Sequence, residues 1–235
     1  MLPVAVLAGG LGTRIRHRTG PSVPKALLPV GGVPFIDIKL REMRDAGARR
    51  IVMLVGHGAE VIVDHVGDGA AYELEVEFVR DGPQLLGTGG AIREALPRLG
   101  PAFFLTYGDT LLEVPMDRLE RRLLATRAEA VMTVLENQDR WETSNVTVVN
   151  GRVTQYEKAA SPGNHRFLDY GMLAMRKTAL DGTPTKEPFD LATVIQQLVK
   201  RGAVLEMRVT RRFYDIGNEE SVRATETFLQ ASETS

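Results

Sequence analysis

The chain has no cysteine in 235 residues. That absence excludes disulfides, thiolate metal ligands and a cysteine nucleophile, and it fits a reducing compartment. Tryptophan occurs once, at Trp141. No apolar run approaches the ~20 residues that a membrane span needs. Residues 1–8 (MLPVAVLA) lack the basic start of a secretory leader, and their apolar stretch is too short for one. No excess of either charge sign exists: the formal net charge is −1, which excludes a generally basic nucleic-acid binder. With 43% hydrophobic and 25% charged residues the chain is no disordered polyelectrolyte either. Four histidines, His17, His57, His65 and His165, stand without metal-ligand spacing, and no Gly-x-Ser-x-Gly elbow occurs. What remains is a cytoplasmic globular protein, long enough to bury a core without covalent staples.

One local absence is informative. Residues 1–36 contain no Asp or Glu, yet they carry Arg14, Arg16, Arg18 and Lys25; the first acid is Asp37. Glycine is skewed the same way, with 17 of the 23 at or before Gly108. A basic, acid-free, glycine-rich segment suits a polyanion held by backbone N–H groups and cationic side chains. The same composition also describes a solvated loop, so its flanks must decide.

Val4–Ala8 is a continuous apolar run ending in Gly9-Gly10, the pattern of a buried strand feeding a loop. Helices are expected over 34–46, 59–66 and 89–99, and strands over 51–55, 74–79 and 103–106, the last running into Gly108-Asp109. Strand and helix alternating at this spacing predict crossover units and a mostly parallel sheet, an α/β fold. After Pro115 the rhythm changes. A helix over 117–126 is followed by strand-like runs at 130–136, 145–149, 153–157 and 167–175, with Asn150-Gly151 as a hairpin turn. Asp190 then caps a helix over 191–201, strands follow at 205–209 and 213–216, and a helix covers 219–229. The expected organisation is one domain over 1–231 in two halves (1–115 and 116–231), with a polar tail (232–235).

The segment Leu7-Ala8-Gly9-Gly10-Leu11-Gly12-Thr13-Arg14 lies where a phosphate loop belongs, after a strand. It is no P-loop, because Gly-Lys-Ser/Thr does not follow. It also lacks the third glycine of the dinucleotide fingerprint. Pro24-Lys25 follows eleven residues on, so two cations, Arg14 and Lys25, can stand beside backbone donors. Leu7–Arg14 with Pro24-Lys25 resembles the signature of the sugar-1-phosphate nucleotidyltransferases. Leu86-Gly87-Thr88-Gly89-Gly90-Ala91, Gly108-Asp109 and Tyr214-Asp215-Ile216-Gly217 match that family's later motifs in order.

The resemblance implies a Rossmann-like sheet of the nucleotide-diphospho-sugar transferase (GT-A-like) type, with a nucleotide-binding half (1–115) and a sugar-phosphate-binding half (116–231), and a concrete division of roles. Leu7, Ala8, Gly9, Gly10, Gly12 and Thr13 would lie against the nucleotide and its phosphates. Arg14 and Lys25 would neutralise the leaving pyrophosphate. Gly87, Thr88 and Gly89 would border the base, with Gln84 as a hydrogen-bonding partner. Asp109 and Asp215 would hold Mg²⁺, a hard cation suited to one or two carboxylates plus phosphate oxygens. Glu157-Lys158 resembles the family's Glu-Lys-Pro element, in which Lys contacts the sugar phosphate and Glu a sugar hydroxyl; here Ala159 replaces the proline. Ser144-Asn145-Val146 and Asp169-Tyr170-Gly171 depart from the usual Tyr-Gly-Val and Asn-x-Gly, which makes Asn145, Asp169, Tyr170 and Gly171 candidates for sugar contacts. Arg16, His17 and Arg18 would extend the basic loop over the triphosphate.

The implied reaction joins a nucleoside triphosphate and a sugar 1-phosphate, releasing pyrophosphate by in-line displacement. The Leu86–Gly90 segment most resembles members that transfer guanylyl to heptose or mannose 1-phosphate, so GTP is favoured, with uridylyl, cytidylyl and adenylyl transfer as alternatives. A non-catalytic nucleotide-binding module and a nicotinamide-dependent oxidoreductase are the rival classes. The retained Asp109, Asp215, Arg14 and Lys25 disfavour the first, and the missing third glycine disfavours the second. Neither nucleic acid nor membrane is an expected partner, and the sequence leaves monomer or homodimer open.

Overall fold

A computed structural model describes all residues except 11–12, 21–22, 83–84, 186 and 234–235; for 14, 16, 19, 232 and 233 it describes the backbone alone. Nine strands form one sheet: β1 (Val4–Leu7), β2 (Arg50–Val55), β3 (Glu75–Arg80), β4 (Ala102–Tyr107), β5 (Ala130–Glu136), β6 (Val146–Val149), β7 (Arg152–Tyr156), β8 (Phe167–Arg176) and β9 (Val204–Val209). Their spatial order is β3-β2-β1-β4-β8-β5-β9-β7-β6. The first four in that order are mutually parallel, as the strand–helix alternation predicts. Beyond β4 the sheet is mixed: β8 runs antiparallel to β4 and β5, β9 parallel to β5, and β7 antiparallel to β6 and β9.

Local chemistry explains these elements. The buried runs Val4-Ala5-Val6 and Ile51–Val55 have no polar alternation because both faces of the sheet are covered. Asn150 (φ 50°) and Gly151 (φ 78°) take the two left-handed positions of a type I′ turn between β6 and β7, the conformation these residues adopt at least cost. Among the described residues, six helices longer than one turn complete the layers: α1 (Phe35–Asp45), α2 (Ala59–Val66), α3 (Gly87–Leu99), α4 (Met116–Leu124), α5 (Leu191–Lys200) and α6 (Glu219–Glu233). Ile36, Leu40 and Met43 of α1, Ile62 of α2 and Leu119 and Leu123 of α4 pack on one face, against Val4, Val6, Met53 and Phe104. Ile92, Ala95 and Leu99 of α3 and Ile195 and Leu198 of α5 pack on the other, against Ala5, Val52 and Leu105. Among the described residues no helix is long and apolar enough to cross a membrane.

Two short ribbons matter for the site. Pro29–Val30 pairs with Val33–Pro34, and Thr110–Leu111 pairs antiparallel with Tyr214–Asp215. The second strand of the latter ribbon is shorter than the apolar run 213–216 suggests, because its partner beyond Asp109 supplies only Thr110 and Leu111.

Candidate functional site

The strand order places a topological switch between β1 and β4: from β1 the chain proceeds to β2 and β3 on one side, then returns to β4 on the other. Loops leaving the carboxyl ends of parallel strands diverge at such a point, and ligands bind in the crevice between them. Here that crevice is a cavity of about 310 Å³, lined by residues of the β1, β2, β3 and β4 ends and of α3. Leu7, Ala8, Gly9, Gly10, Lys25, Gly87, Thr88 and Asp109, all expected at the site, line it. So do Ala91, the last residue of the Leu86–Ala91 motif, and Leu54, Asp81, Leu85 and Tyr107, four residues that the sequence did not single out. Gly9 lets two strand-end loops approach: a Cβ there would stand 3.2 Å from the Gly56 nitrogen.

Lys25 opens a 3₁₀ turn, Lys25–Leu27, behind Pro24 (φ −59°, ψ 146°). Proline's fixed φ gives the entry to that turn. The Lys25 ammonium lies 2.6 Å from Asp109 Oδ2, and its side chain is 14% exposed. Asp109 Oδ1 accepts from the Thr110 hydroxyl at 3.2 Å. The ribbon sets Asp215 opposite Thr110, and the Ile216 N–H donates to the Asp109 carbonyl at 3.1 Å. Asp215 Oδ1 accepts from the Gly217 N–H at 2.6 Å, and the Thr225 hydroxyl of α6 holds the Asp215 carbonyl at 2.8 Å. Two acids 106 positions apart in the sequence are thereby fixed on one ribbon. Among the described residues no group of three His, Cys, Asp or Glu side chains gathers as a metal cage. A pair of hard carboxylates that leaves the remaining ligands to phosphate and water fits Mg²⁺, which dehydrates reluctantly.

A second group borders the first. Asp190 caps α5 by accepting from the Ala192 N–H at 2.9 Å, and it also accepts from the Thr88 hydroxyl at 3.2 Å. Thr88 Oγ1 in turn accepts from the Leu191 N–H at 2.9 Å. The Asp190 carboxylate ion-pairs with Lys158. Burial works against its charge, but the Lys158 ammonium and the Ala192 N–H hold its carboxyl below the usual value. Asp190 was legible in the sequence only as a cap; nothing there connected it to Lys158.

Asn145 Oδ1 accepts from the Asp169 N–H at 2.9 Å, and the Asn145 carbonyl accepts from the Glu157 N–H at 3.0 Å, so three expected sugar-side residues stand together. Asp169 Oδ1 accepts from the Gly171 N–H at 3.1 Å. Gly171 (φ +100°) sits at an irregularity in the β8–β5 register that a residue with a side chain rarely adopts. Burial pushes the Asp169 carboxyl up to about 6, only partly offset by the Gly171 N–H. Burial and the neighbouring Asp169 also push the Tyr107 and Tyr156 hydroxyls up.

Not every expected residue is placed at the cavity. Tyr170 does not reach the cavity: it is 1% exposed, its hydroxyl accepts from the Glu113 N–H at 3.1 Å, and its ring meets Phe213 edge-on at 6.2 Å. Consecutive strand residues point to opposite faces, so Asp169 and Tyr170 could not both face the ligand. Gly89 packs against Phe189, where a Cβ would come within 2.3 Å of the ring. His17 and Arg18 turn away to α6, where Glu219 lies 3.4 Å from His17 and 2.5 Å from Arg18. Thr13 is exposed in a 3₁₀ turn, Thr13–Ile15, anchored by buried Ile15. Gly12, Gln84 and the Arg14 side chain lie outside the described residues.

Known proteins resemble this chain in sequence and fold. D-glycero-alpha-D-manno-heptose 1-phosphate guanylyltransferase of Campylobacter jejuni is 24% identical over 90% of this chain and 93% of its own length. The bifunctional protein GlmU of Cellvibrio japonicus is 34% identical over 57% of this chain, which spans only 28% of that protein. Among solved structures, HddC from Yersinia pseudotuberculosis superposes with a TM-score of 0.82 at 23% identity, covering 97% of this chain and all (100%) of that one. It has the same fold, and a further structure of it is a complex with GMP-PN. The sequence model of the MobA-like NTP transferase domain matches residues 4–201, so the chain belongs to that nucleotidyltransferase family.

Proposed function

We propose that this protein transfers a nucleotidyl group from a nucleoside triphosphate, GTP by preference, to a sugar 1-phosphate of the heptose or mannose type, releasing pyrophosphate in the cytoplasm with Mg²⁺. The observation that carries this reading is the convergence, at one switch-point cavity, of a glycine loop, Lys25 and the Asp109–Asp215 ribbon, beside a second group built from Lys158, Asn145 and Asp169. The first group suits a triphosphate, the second a phosphorylated polyol. The guanylyltransferase likeness over nine-tenths of both chains supports the choice of nucleotide and sugar.

The phosphate oxygen of the sugar 1-phosphate is already ionised, so attack on the α-phosphorus needs no general base. Repulsion between two polyanions is the obstacle. Lys25 offsets charge on the departing pyrophosphate, Lys158 draws in the attacking phosphate, and the backbone at Gly9 and Gly10 allows close approach. Asp109 and Asp215 would hold Mg²⁺, which supplies charge neutralisation between the phosphates when bound. Asn145 and Asp169 orient the sugar hydroxyls.

Pyrophosphate release tests this reading directly. GTP, UTP, CTP, ATP and dTTP are crossed with heptose, mannose, glucose and N-acetylhexosamine 1-phosphates, and products are identified by mass spectrometry. Release that needs both substrates, with a GDP-sugar as the main product, is the expected result. Absence of release from every pair, with triphosphate still bound, would leave a binding module.

A further inference from the structure

Asp81 is the first residue beyond β3, and its N–H donates to the Val55 carbonyl at 3.0 Å, so the loop starts from a fixed point. Its carboxylate overlies the start of the glycine loop: Cβ atoms built on Gly56 and Gly9 would stand 3.0 and 3.8 Å from Oδ2. The cavity that it lines also carries the apolar side chains of Leu7, Leu54, Leu85 and Ala91. The cavity's ammonium, Lys25, is committed to Asp109. Among the described residues no side chain pairs with the Asp81 carboxylate, and burial alone pushes it above the ordinary range.

A half-buried carboxylate in a cavity lined largely by apolar side chains gains free energy when a ligand supplies donors to it. The donors must fit two oxygens side by side on a flat, mostly apolar group. Among nucleobases only guanine offers two adjacent donors on one edge, N1–H and the 2-amino group. Adenine and cytosine set their amino group beside a ring-nitrogen acceptor, and uracil and thymine flank one N–H with two carbonyls. Each of those would turn an acceptor towards the carboxylate, an unpaired contact that selects against the base.

We propose that Asp81 reads the nucleobase, its two carboxylate oxygens selecting guanine by accepting from N1–H and the 2-amino group. The assignment rests on the nucleotidyltransferase reading only in taking the ligand to be a nucleotide.

The test is calorimetric binding of GDP, IDP, UDP, CDP and ADP to the whole protein and to Asp81→Asn, which keeps the shape but replaces one acceptor by a donor. The unmodified protein should bind GDP best, and IDP, which lacks the 2-amino group, about 10-fold more weakly, as loss of one charge-assisted hydrogen bond requires. Asp81→Asn should weaken GDP about 30-fold or more while changing UDP less than about threefold. A preference for UDP, CDP or ADP in the unmodified protein, an equal loss for every nucleotide in Asp81→Asn, or no nucleotide binding at all would overturn the assignment. The IDP comparison needs no variant, so a misfolded Asp81→Asn cannot obscure the answer. Pyrophosphate release with the matching triphosphates separates the two readings. Guanine selectivity lost in Asp81→Asn without any pyrophosphate release would remove the transferase and keep the base reader. Release whose base preference is unmoved by Asp81→Asn would do the reverse.

Discussion

Lys25→Met removes one ammonium and keeps most of the side chain's apolar stem, so its consequences can be divided between fold and chemistry. In the folded protein the charge lies 2.6 Å from Asp109 Oδ2. At that distance the gross attraction is about 6 kcal/mol for an effective dielectric constant of about 20. Most of this is offset by desolvation, and Asp109, 39% exposed, can rehydrate when its partner goes. The net loss of stability is therefore about 1 kcal/mol, which lowers Tm by about 2–4 °C in a chain of this size. On the proposed reaction the chemical step should lose more. A cation aimed at the departing pyrophosphate acts where charge develops in a water-poor cleft, and removing one such group costs about 3–4 kcal/mol of barrier, or about 10²–10³ in kcat. The assay is steady-state pyrophosphate release at saturating GTP and sugar 1-phosphate, with a thermal melt of the same sample. A fall in kcat of less than about 10-fold would refute the electrostatic role, since an exposed pair alone is worth no more than that. A Tm loss beyond about 8 °C would show that Lys25 serves the fold, because it implies at least twice the stability expected here.

Asp169→Asn should change the pH dependence of stability in a defined direction. The folded carboxyl, near 6, lies above its unfolded value, so between about pH 4 and 6 the native state binds more protons and loses stability as pH rises. Urea melts should show Asp169→Asn gaining on the unmodified protein from pH 4.5 to 7.5; a constant difference across that range contradicts the raised carboxyl. Tyr170→Phe should cost about 1–2 kcal/mol, because the Glu113 N–H loses its buried acceptor, while KM for the sugar 1-phosphate stays put. A raised KM at unchanged stability would return Tyr170 to the sugar site. Gly89→Ala puts a methyl group 2.3 Å from the Phe189 ring carbon and should cost about 1–3 kcal/mol in a denaturant melt. An unchanged midpoint would mean that Phe189 moves aside freely.

Much of this protein was determined by its sequence alone. Local periodicity placed the helices 59–66 and 87–99 and the strand 130–136 to within two residues, because each buries a face set by its own spacing. Asn150-Gly151 dictated its hairpin, and Asp190 its helix start, through backbone chemistry confined to a few residues. Gly9, Gly10 and Asp109, which line the cavity, were legible as candidates because they follow apolar runs that read as strands. Tertiary structure decided what depends on parity and crossing. That Asp169 meets Asn145 while Tyr170 is buried against Phe213 follows from the sheet face that each position occupies, and the register irregularity beside Gly171 is not written in residue types. Lys158 meets Asp190, and Asp215 comes to lie opposite Thr110 beside Asp109, only because the fold brings together segments distant in the chain. Asp81 had no motif to mark it. Its place at the carboxyl end of β3, above Gly9 and Gly56, exists only once β3, β2 and β1 lie side by side.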